Sequence, residues 1–272
     1  ASRWWLQHSL LALDKSLKKK LWVLQGDPMT LLPKLMQEQG ATHIVWNRCY
    51  EPWRIQRDKK LKQALTESGY EVASHNGSLL WEPWTNRKAD ATPYKVFTPF
   101  YKNARANLPP PELPEPAPKS LPLASCEQTA DKIDALGLMP SIRWYDGLAE
   151  CWQPGEKGAG DKLSQFLSDG IQNYKNGRDF PASQSVSRLS PHLHYGEISP
   201  RQVWHAAQSE SGDTRLESQI EHYQRELAWR EFSYSLLYHF PNLTEQNMNP
   251  RFDAFPWRRD DKLLKAWQQG AT

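Results

Sequence analysis

The sequence predicts an α/β domain with a parallel sheet, followed by an all-helical domain. Three observations support this: short apolar runs that alternate with amphipathic segments before residue 100, seven prolines between Pro109 and Pro122, and a purely helical pattern after Gly160. Short buried strands separated by helices are typical of a parallel sheet with helices on its faces. A proline-rich stretch cannot hold a helix or a central strand, so it predicts an extended linker.

The first hundred residues alternate between the two periodicities. Apolar residues at helical spacing predict helices over residues 3–17, from residue 31 to Gly40, and over residues 54–68. Short apolar runs predict strands at residues 21–24, 43–46 and 70–74. Because a parallel sheet normally opens with a strand and this pattern opens with a helix, we expect the first strand to be missing.

The remainder divides into a linker and a helical domain. We place the α/β domain at residues 1–102, the linker at 103–160 and the helical domain at 161–272. Asp161 is predicted to cap the first helix of that domain, and Ser190 and Ser199, each followed by proline, are predicted to cap two more. A long helix is predicted over residues 216–240.

Composition excludes several classes of function. Three widely spaced cysteines and eight histidines without ligand spacing predict neither a disulfide framework nor a metal site, and they suit a reducing cytoplasm. No glycine-rich phosphate loop follows a strand, and no apolar run approaches the roughly 20 residues of a membrane span. The net charge of +3 permits nucleic-acid binding without requiring it, and any one of the 13 tryptophans can be core filler or a stacking surface.

One candidate site lies at residues 187–190. Ser187 and Ser190 offer hydroxyls near a predicted helix start, with Arg188 between them. Aligned donors, a helix N-terminus and a fixed cation can hold a phosphate. The alternative is that Ser190 only caps its helix.

A second candidate lies on the long helix. Glu226, Trp229 and Arg230 are three and four residues apart, so they share one helix face and can hydrogen-bond, stack on and clamp a nucleobase. The alternative is a Glu226–Arg230 surface ion pair beside a core tryptophan.

Taken together, several segments resemble the photolyase/cryptochrome family, and within it the microbial class I cyclobutane pyrimidine dimer photolyases. The matching segments are residues 47–52 (Asn-Arg-Cys-Tyr-Glu-Pro), 76–80 (Asn-Gly-Ser-Leu-Leu), 94–100 (Tyr-Lys-Val-Phe-Thr-Pro-Phe), 178–181 (Arg-Asp-Phe-Pro), 187–191 (Ser-Arg-Leu-Ser-Pro), 226–232 (Glu-Leu-Ala-Trp-Arg-Glu-Phe) and 255–257 (Phe-Pro-Trp). They occur in the family's order and cover essentially the whole chain. The resemblance implies a Rossmann-like first domain and the first part of an all-helical FAD-binding domain, truncated at both ends.

The resemblance also implies roles for individual residues. FAD would be lined by Tyr174, Ser187, Arg188, Leu189, Ser190 and Tyr223. DNA would meet Arg178, Glu226, Trp229 and Arg230, with Glu226 and Trp229 contacting the flipped dimer in a catalytic role. Trp257 would end the tryptophan chain that photoreduces the flavin. The implied protein is a light-dependent carbon–carbon lyase acting on double-stranded DNA, cytoplasmic and monomeric at full length, with a folate or deazaflavin antenna.

Two departures and two alternatives accompany the resemblance. The family's Gly-Thr before Ser187 is Ser185-Val186 here, so one phosphate-side hydroxyl is lost or is replaced by Ser185; the family's frequent tryptophan at position 223 is tyrosine. A cryptochrome-like photoreceptor with the same fold and cofactor is the alternative function, and an inactive remnant is a third. Since only one side of the flavin site is present, we expect residues 1–272 alone to hold FAD poorly and to aggregate.

Overall fold

The computed structural model describes residues 1–125 and 129–272. Its first part contains helices α1 (Ser2–Ser16), α2 (Pro28–Gln39), α3 (Pro52–Glu67) and α4 (Phe97–Asn107), with strands β1 (His43–Asn47) and β2 (Glu71–His75). Helix α2 begins where the Asp27 carboxylate accepts a hydrogen bond from the Met29 amide, and it ends at Gly40, whose φ of 60° suits glycine. The three helices and two of the three strands predicted in this part are confirmed.

The two strands form a parallel sheet. They run in register from His43 opposite Glu71 to Asn47 opposite His75, and α3 connects them. Met36, Leu61 and Leu65 pack beneath the sheet as a small core. The predicted parallel sheet with flanking helices is therefore present, with two strands among the described residues.

The predicted strand at residues 21–24 is wrong. The Leu21 amide donates to the Asp14 carboxylate at 3.3 Å, and Leu24 is 45% exposed. A strand exists only through hydrogen bonds to a neighbouring strand, and within the described ranges this run pairs with neither β1 nor β2. The apolar composition of these four residues favours a strand locally, but a strand also requires a partner that is distant in sequence.

The second part is helical, as predicted from residue 161 onward, and two short helices, Thr129–Ala135 and Asp146–Cys151, lie within residues 103–160, which were predicted as a linker. It contains α5 (Thr129–Ala135), α6 (Asp146–Cys151), α7 (Glu156–Ser168), α8 (Tyr174–Gly177), α9 (Ser190–Tyr195), α10 (Pro200–Ser209), α11 (Glu217–His239) and α12 (Asp261–Gln268), with short 3₁₀ helices at Gly170–Asn173, Glu210–Gly212, Pro241–Thr244 and Pro250–Ala254. Residues 109–122 contain neither helix nor strand, as their prolines predict, and the carbonyls of Pro111 and Glu112 accept hydrogen bonds from His205 of α10. None of the described helices, including the 23-residue α11, combines the length and apolar character needed to cross a membrane.

The predicted helix caps have three different outcomes. Ser199 caps α10 in a capping box with Gln202, as predicted. Asp161 does not cap its helix, because α7 starts five residues earlier and the Asp161 carboxylate instead pairs with Lys157 at 2.5 Å. Ser190 forms no capping hydrogen bond, since it is already the first residue of α9.

The main core joins both parts of the chain. Phe97 and Phe100 of α4 pack against Phe232 of α11, and Leu80 and Trp81 enter the same cluster from the segment that follows β2. Helix α11 is therefore the element around which the two parts assemble.

Helix α1 docks onto α9 through a buried polar joint. Trp5 Nε1 donates to Glu197 at 3.0 Å, His192 Nδ1 bonds the other oxygen of the same carboxylate, and the Trp5 and His192 rings meet edge to face at 5.0 Å. Although burial acts to raise it, the pKa of Glu197 is held below its ordinary value by hydrogen bonds from His192 and Trp5. The joint ties the start of the described chain to the helical part.

We expect Trp5→Phe to lower the free energy of unfolding by about 1–3 kcal/mol, because it leaves the buried Glu197 carboxylate with one donor fewer. Denaturant titration measures this. The control is Trp53→Phe, since Trp53 is 60% exposed and its ring lies beneath Arg54 and Arg57 at the surface. Equal unfolding midpoints for the two variants would contradict the importance of the joint.

Candidate functional site

A cleft of about 480 Å³ lies beside α11. One wall is the loop that leads into α9, the opposite wall is the middle of α11, and Tyr174 at the start of α8 contributes a third side. The lining residues are Tyr174, Val186, Ser187, Arg188, Leu189, Ser190, Leu193, Tyr223, Glu226, Leu227 and Arg230. The cleft thus brings together all six residues that the resemblance assigns to FAD, with Glu226 and Arg230.

The loop wall has an unusual backbone. Arg188 has a φ of 53°, in the left-handed region that a bulky side chain seldom adopts. The next residue, Leu189, is buried in the main core and anchors the loop. Such strain is maintained only where the surroundings enforce it, and it is common at binding sites. Here it accompanies exposed Arg188 and Ser190 side chains at the cleft.

The departure at residues 185–186 removes a hydroxyl from the cleft. Val186 lines the cleft, whereas Ser185 is buried, bonds the Ser183 hydroxyl at 2.6 Å and packs against Gly177. Ser185 therefore does not replace the hydroxyl. The remaining hydroxyls of this wall are those of Ser187 and Ser190.

Two tyrosines form the aromatic side of the cleft. Their ring centroids are 5.1 Å apart and nearly perpendicular. Burial raises the pKa of Tyr174 to about 12, assisted by the charge of Glu226. Burial also raises the pKa of Tyr223, more than the nearby Ser187 hydroxyl lowers it. Across the described residues the buried Tyr223 hydroxyl has no partner in hydrogen-bond geometry, so it can serve a ligand.

Glu226 is held at the cleft by an arginine from another segment. Its carboxylate pairs with Arg178, and that guanidinium also lies 5.9 Å from the Tyr174 ring. The hydrogen bond to Glu226, together with the charge of that carboxylate, raises the pKa of Arg178. The alternative Glu226–Arg230 surface ion pair is wrong, because each of the two residues has a different partner.

Trp229 does not line the cleft. Its ring stacks on Phe97 of α4, with centroids 3.8 Å apart and planes 11° apart, while 44% of the residue remains exposed. It is therefore neither a fully buried core residue nor a free surface side chain. Phe97 is buried and fixes the plane in which Trp229 is presented.

Glu231, which the sequence analysis missed, is buried at the junction of α11 and the segment after β2. It accepts hydrogen bonds from the Leu80 amide at 2.7 Å and the Trp81 amide at 3.4 Å, and from Arg230 at 3.2 Å. Burial raises the pKa of Glu231 to about 7, against the opposing charge of Arg230. Its position four residues after Leu227, on the apolar side of α11, was the available signal.

Trp257 lies away from these groups. It follows the 3₁₀ helix at Pro250–Ala254, is 78% exposed and has Phe255 as its aromatic neighbour at 4.7 Å. In the described ranges no group of three His, Cys, Asp or Glu residues is arranged to hold a metal ion.

The whole chain is similar in sequence to known photolyases and cryptochromes. Residues 1–119 match the family of the DNA photolyase domain, and residues 223–272 match the FAD binding domain of DNA photolyase. A deoxyribodipyrimidine photo-lyase from Agrobacterium fabrum is 43% identical over 100% of this chain and 57% of its own length. Cryptochrome-1 from Arabidopsis thaliana is 30% identical over 100% of this chain and 41% of its own.

A solved structure extends the comparison to the fold. A bacterial class III photolyase from Agrobacterium tumefaciens superposes with a TM-score of 0.92 at 42% identity, over 99% of this chain and 56% of that chain. The resemblance in sequence implied class I, whereas this similar structure is of class III. The chain spans about half the length of the relatives it matches.

Glu231 predicts a pH dependence of stability. Its carboxyl has a pKa of about 7 in the folded protein and about 4.3 in the unfolded chain. The stability that the protonated carboxyl contributes is therefore fully present below the unfolded pKa and is lost as the pH rises through 7. We expect Glu231→Gln to gain stability relative to the parent between pH 5 and pH 8, on the order of 1–3 kcal/mol. Denaturant unfolding at several pH values measures the difference. A difference that is constant across this range would refute the prediction.

Proposed function

Because the chain belongs to the photolyase/cryptochrome family, we propose that its complete protein is a deoxyribodipyrimidine photo-lyase that repairs cyclobutane pyrimidine dimers in DNA. The observation that carries this is the cleft in which Ser187, Arg188 and Ser190 face Tyr223 and Glu226. A donor-rich wall opposite an aromatic and acidic wall suits a ligand that has both phosphates and a planar ring system.

FAD is the proposed ligand of the cleft. Ser187, Arg188 and Ser190 would hold its phosphates, while Tyr174, Leu189 and Tyr223 would flank its remaining parts. The Tyr223 hydroxyl, which has no hydrogen-bond partner among the described residues, and the strained Arg188 backbone fit such a ligand. When bound and excited by light, FAD would supply the electron that splits the dimer, and a folate or deazaflavin antenna would pass energy to it.

The proposed DNA contacts lie on α11 and beside it. Trp229 would stack on the flipped dimer with its free ring surface, because Phe97 already covers its other side. Glu226 would hydrogen-bond the dimer at the mouth of the cleft, held there by Arg178. Arg178 and Arg230 would meet DNA or the site wall, and Trp257 would end the electron path that reduces the flavin.

The wider assignment is part of the same proposal. It comprises a Rossmann-like interpretation of residues 1–102 with the opening strand outside this chain, a linker at 103–160, a helical domain from 161, a monomeric complete protein and a cytoplasmic location. A cryptochrome-like photoreceptor is the second candidate, favoured by the 30% identity to cryptochrome-1. Repair is preferred because a half-exposed tryptophan on the same helix as Glu226, which lines the cleft, suits a damaged base.

We expect Arg188→Ala in the complete protein to weaken FAD binding about tenfold, the lower end for loss of a charge-assisted contact by an exposed side chain. The flavin that remains bound after dilution and gel filtration measures this. Arg215→Ala is the control, since Arg215 is an exposed arginine outside the cleft. Equal retention by the two variants would remove the phosphate role of Arg188.

Substitutions of Trp229 and of Glu226 should impair different properties of the complete protein. Trp229→Ala should lose selectivity for damaged over undamaged DNA, because base–aromatic stacking contributes about 1–3 kcal/mol, while salt-sensitive non-specific binding persists. Glu226→Ala should mainly lower repair per absorbed photon. Affinity ratios and repair yields at one salt concentration measure both effects. Unchanged selectivity in the first variant with unchanged yield in the second would favour the photoreceptor.

A further inference from the structure

We infer that Glu231 is a positioning residue that holds the Arg230 guanidinium at the wall of the cleft, so that flavin affinity depends on a carboxylate that does not itself line the cleft. This inference rests on the proposed function, since it takes FAD as the ligand of the cleft. It adds a residue that neither the resemblance nor the spacing of α11 assigned to the site.

Arg230 is fixed on three sides. Its Nη1 donates to the Ser78 carbonyl at 2.6 Å and to Glu231 Oε1 at 3.2 Å, and its guanidinium lies 4.9 Å from the centre of the Tyr234 ring. Only 20% of the side chain is exposed, and the residue lines the cleft. In the described part of the chain, Nε and Nη2 have no hydrogen-bond acceptor, so they are the donors left for a ligand.

The other oxygen of Glu231 fixes the segment that carries Ser78. Oε2 accepts from the Leu80 and Trp81 amides, two and three residues beyond the carbonyl that binds Arg230. One buried carboxylate therefore sets both acceptors of Nη1, directly through Oε1 and indirectly through the position of the Ser78 carbonyl. Releasing this carboxylate would free the guanidinium to turn away from the cleft.

The charge of Glu231 is the essential property. A neutral glutamine can still accept from the two amides, but its interaction with a guanidinium is much weaker than that of a carboxylate in the low dielectric of the interior. Glu231→Gln therefore separates the link to Arg230 from the link to the backbone. Glu231→Asp keeps the charge but withdraws it by one methylene.

The test is a double-mutant cycle on the complete protein, with FAD affinity measured by equilibrium fluorescence at pH 8, above the Glu231 pKa of about 7. Arg230→Gln and Glu231→Gln should each weaken FAD binding about tenfold. The double variant should bind no more weakly than Arg230→Gln alone, because Glu231 acts through Arg230. Losses that multiply in the double variant would overturn the inference.

Glu82→Gln is the matched control. Glu82 is a largely buried carboxylate of the same segment, and it pairs with Arg48 and accepts from the Tyr50 hydroxyl at 2.7 Å, outside the lining of the cleft. Its loss should leave FAD affinity at the parental level. If Glu82→Gln weakens FAD as much as Glu231→Gln does, the effect is a general loosening of the segment and the inference is wrong.

Two further outcomes are distinguishable. If the parent binds FAD and Glu231→Gln binds it equally well, the inference fails while the proposed function stands; if the parent binds no FAD, the proposed function itself fails. Thermal unfolding and circular dichroism identify variants that do not fold. Should Glu231→Gln be one of them, Glu231→Asp replaces it, with an intermediate loss of affinity that must vanish in the Arg230→Gln background.

Discussion

A carboxylate can be kept in the protein interior only where hydrogen-bond donors surround it, because an uncompensated buried charge costs several kcal/mol. Glu231 meets this requirement with the Leu80 and Trp81 amides and the Arg230 guanidinium. Two of these donors come from the segment after β2, and the third comes from α11 itself. These hydrogen bonds therefore link the segment after β2 to the long helix, alongside the Trp229–Phe97 stacking and the bond from Arg230 to the Ser78 carbonyl.

The periodicity of helix α11 places its residues on three faces with different surroundings. Tyr223, Glu226 and Arg230 are spaced by three and four residues and line the cleft. Leu227 and Glu231 point to the core, and Trp229 projects toward α4, where Phe97 receives it. Because these faces belong to one rigid helix, the orientation that satisfies Glu231 also sets the distance of Trp229 from the cleft. The fold and the site are thus two consequences of the same helix orientation.

Local signals predicted most of the secondary structure and marked two segments that form walls of the cleft, whereas their convergence on one ligand was implied only by the family resemblance. The strands at His43–Asn47 and Glu71–His75 and the helices of the first part follow periodicity over a few residues, and the two walls of the cleft each lie within one short segment. Non-local contacts account for the errors. Residues 21–24 lack a strand to pair with, Trp229 is placed by Phe97, and Glu231 is satisfied by amides 150 residues away.

The balance of charge in the cleft follows from these same pairings. Arg178 pairs with Glu226, and Arg230 pairs with Glu231. Of the cations lining the cleft, Arg188 alone has no carboxylate partner among the described residues, and it also carries the strained backbone. The net charge of +3 for the whole chain does not indicate how the charges are paired in the cleft. Arg188 thus places a positive charge beside the Ser187 and Ser190 hydroxyls, an arrangement that would favour the phosphates of the proposed ligand.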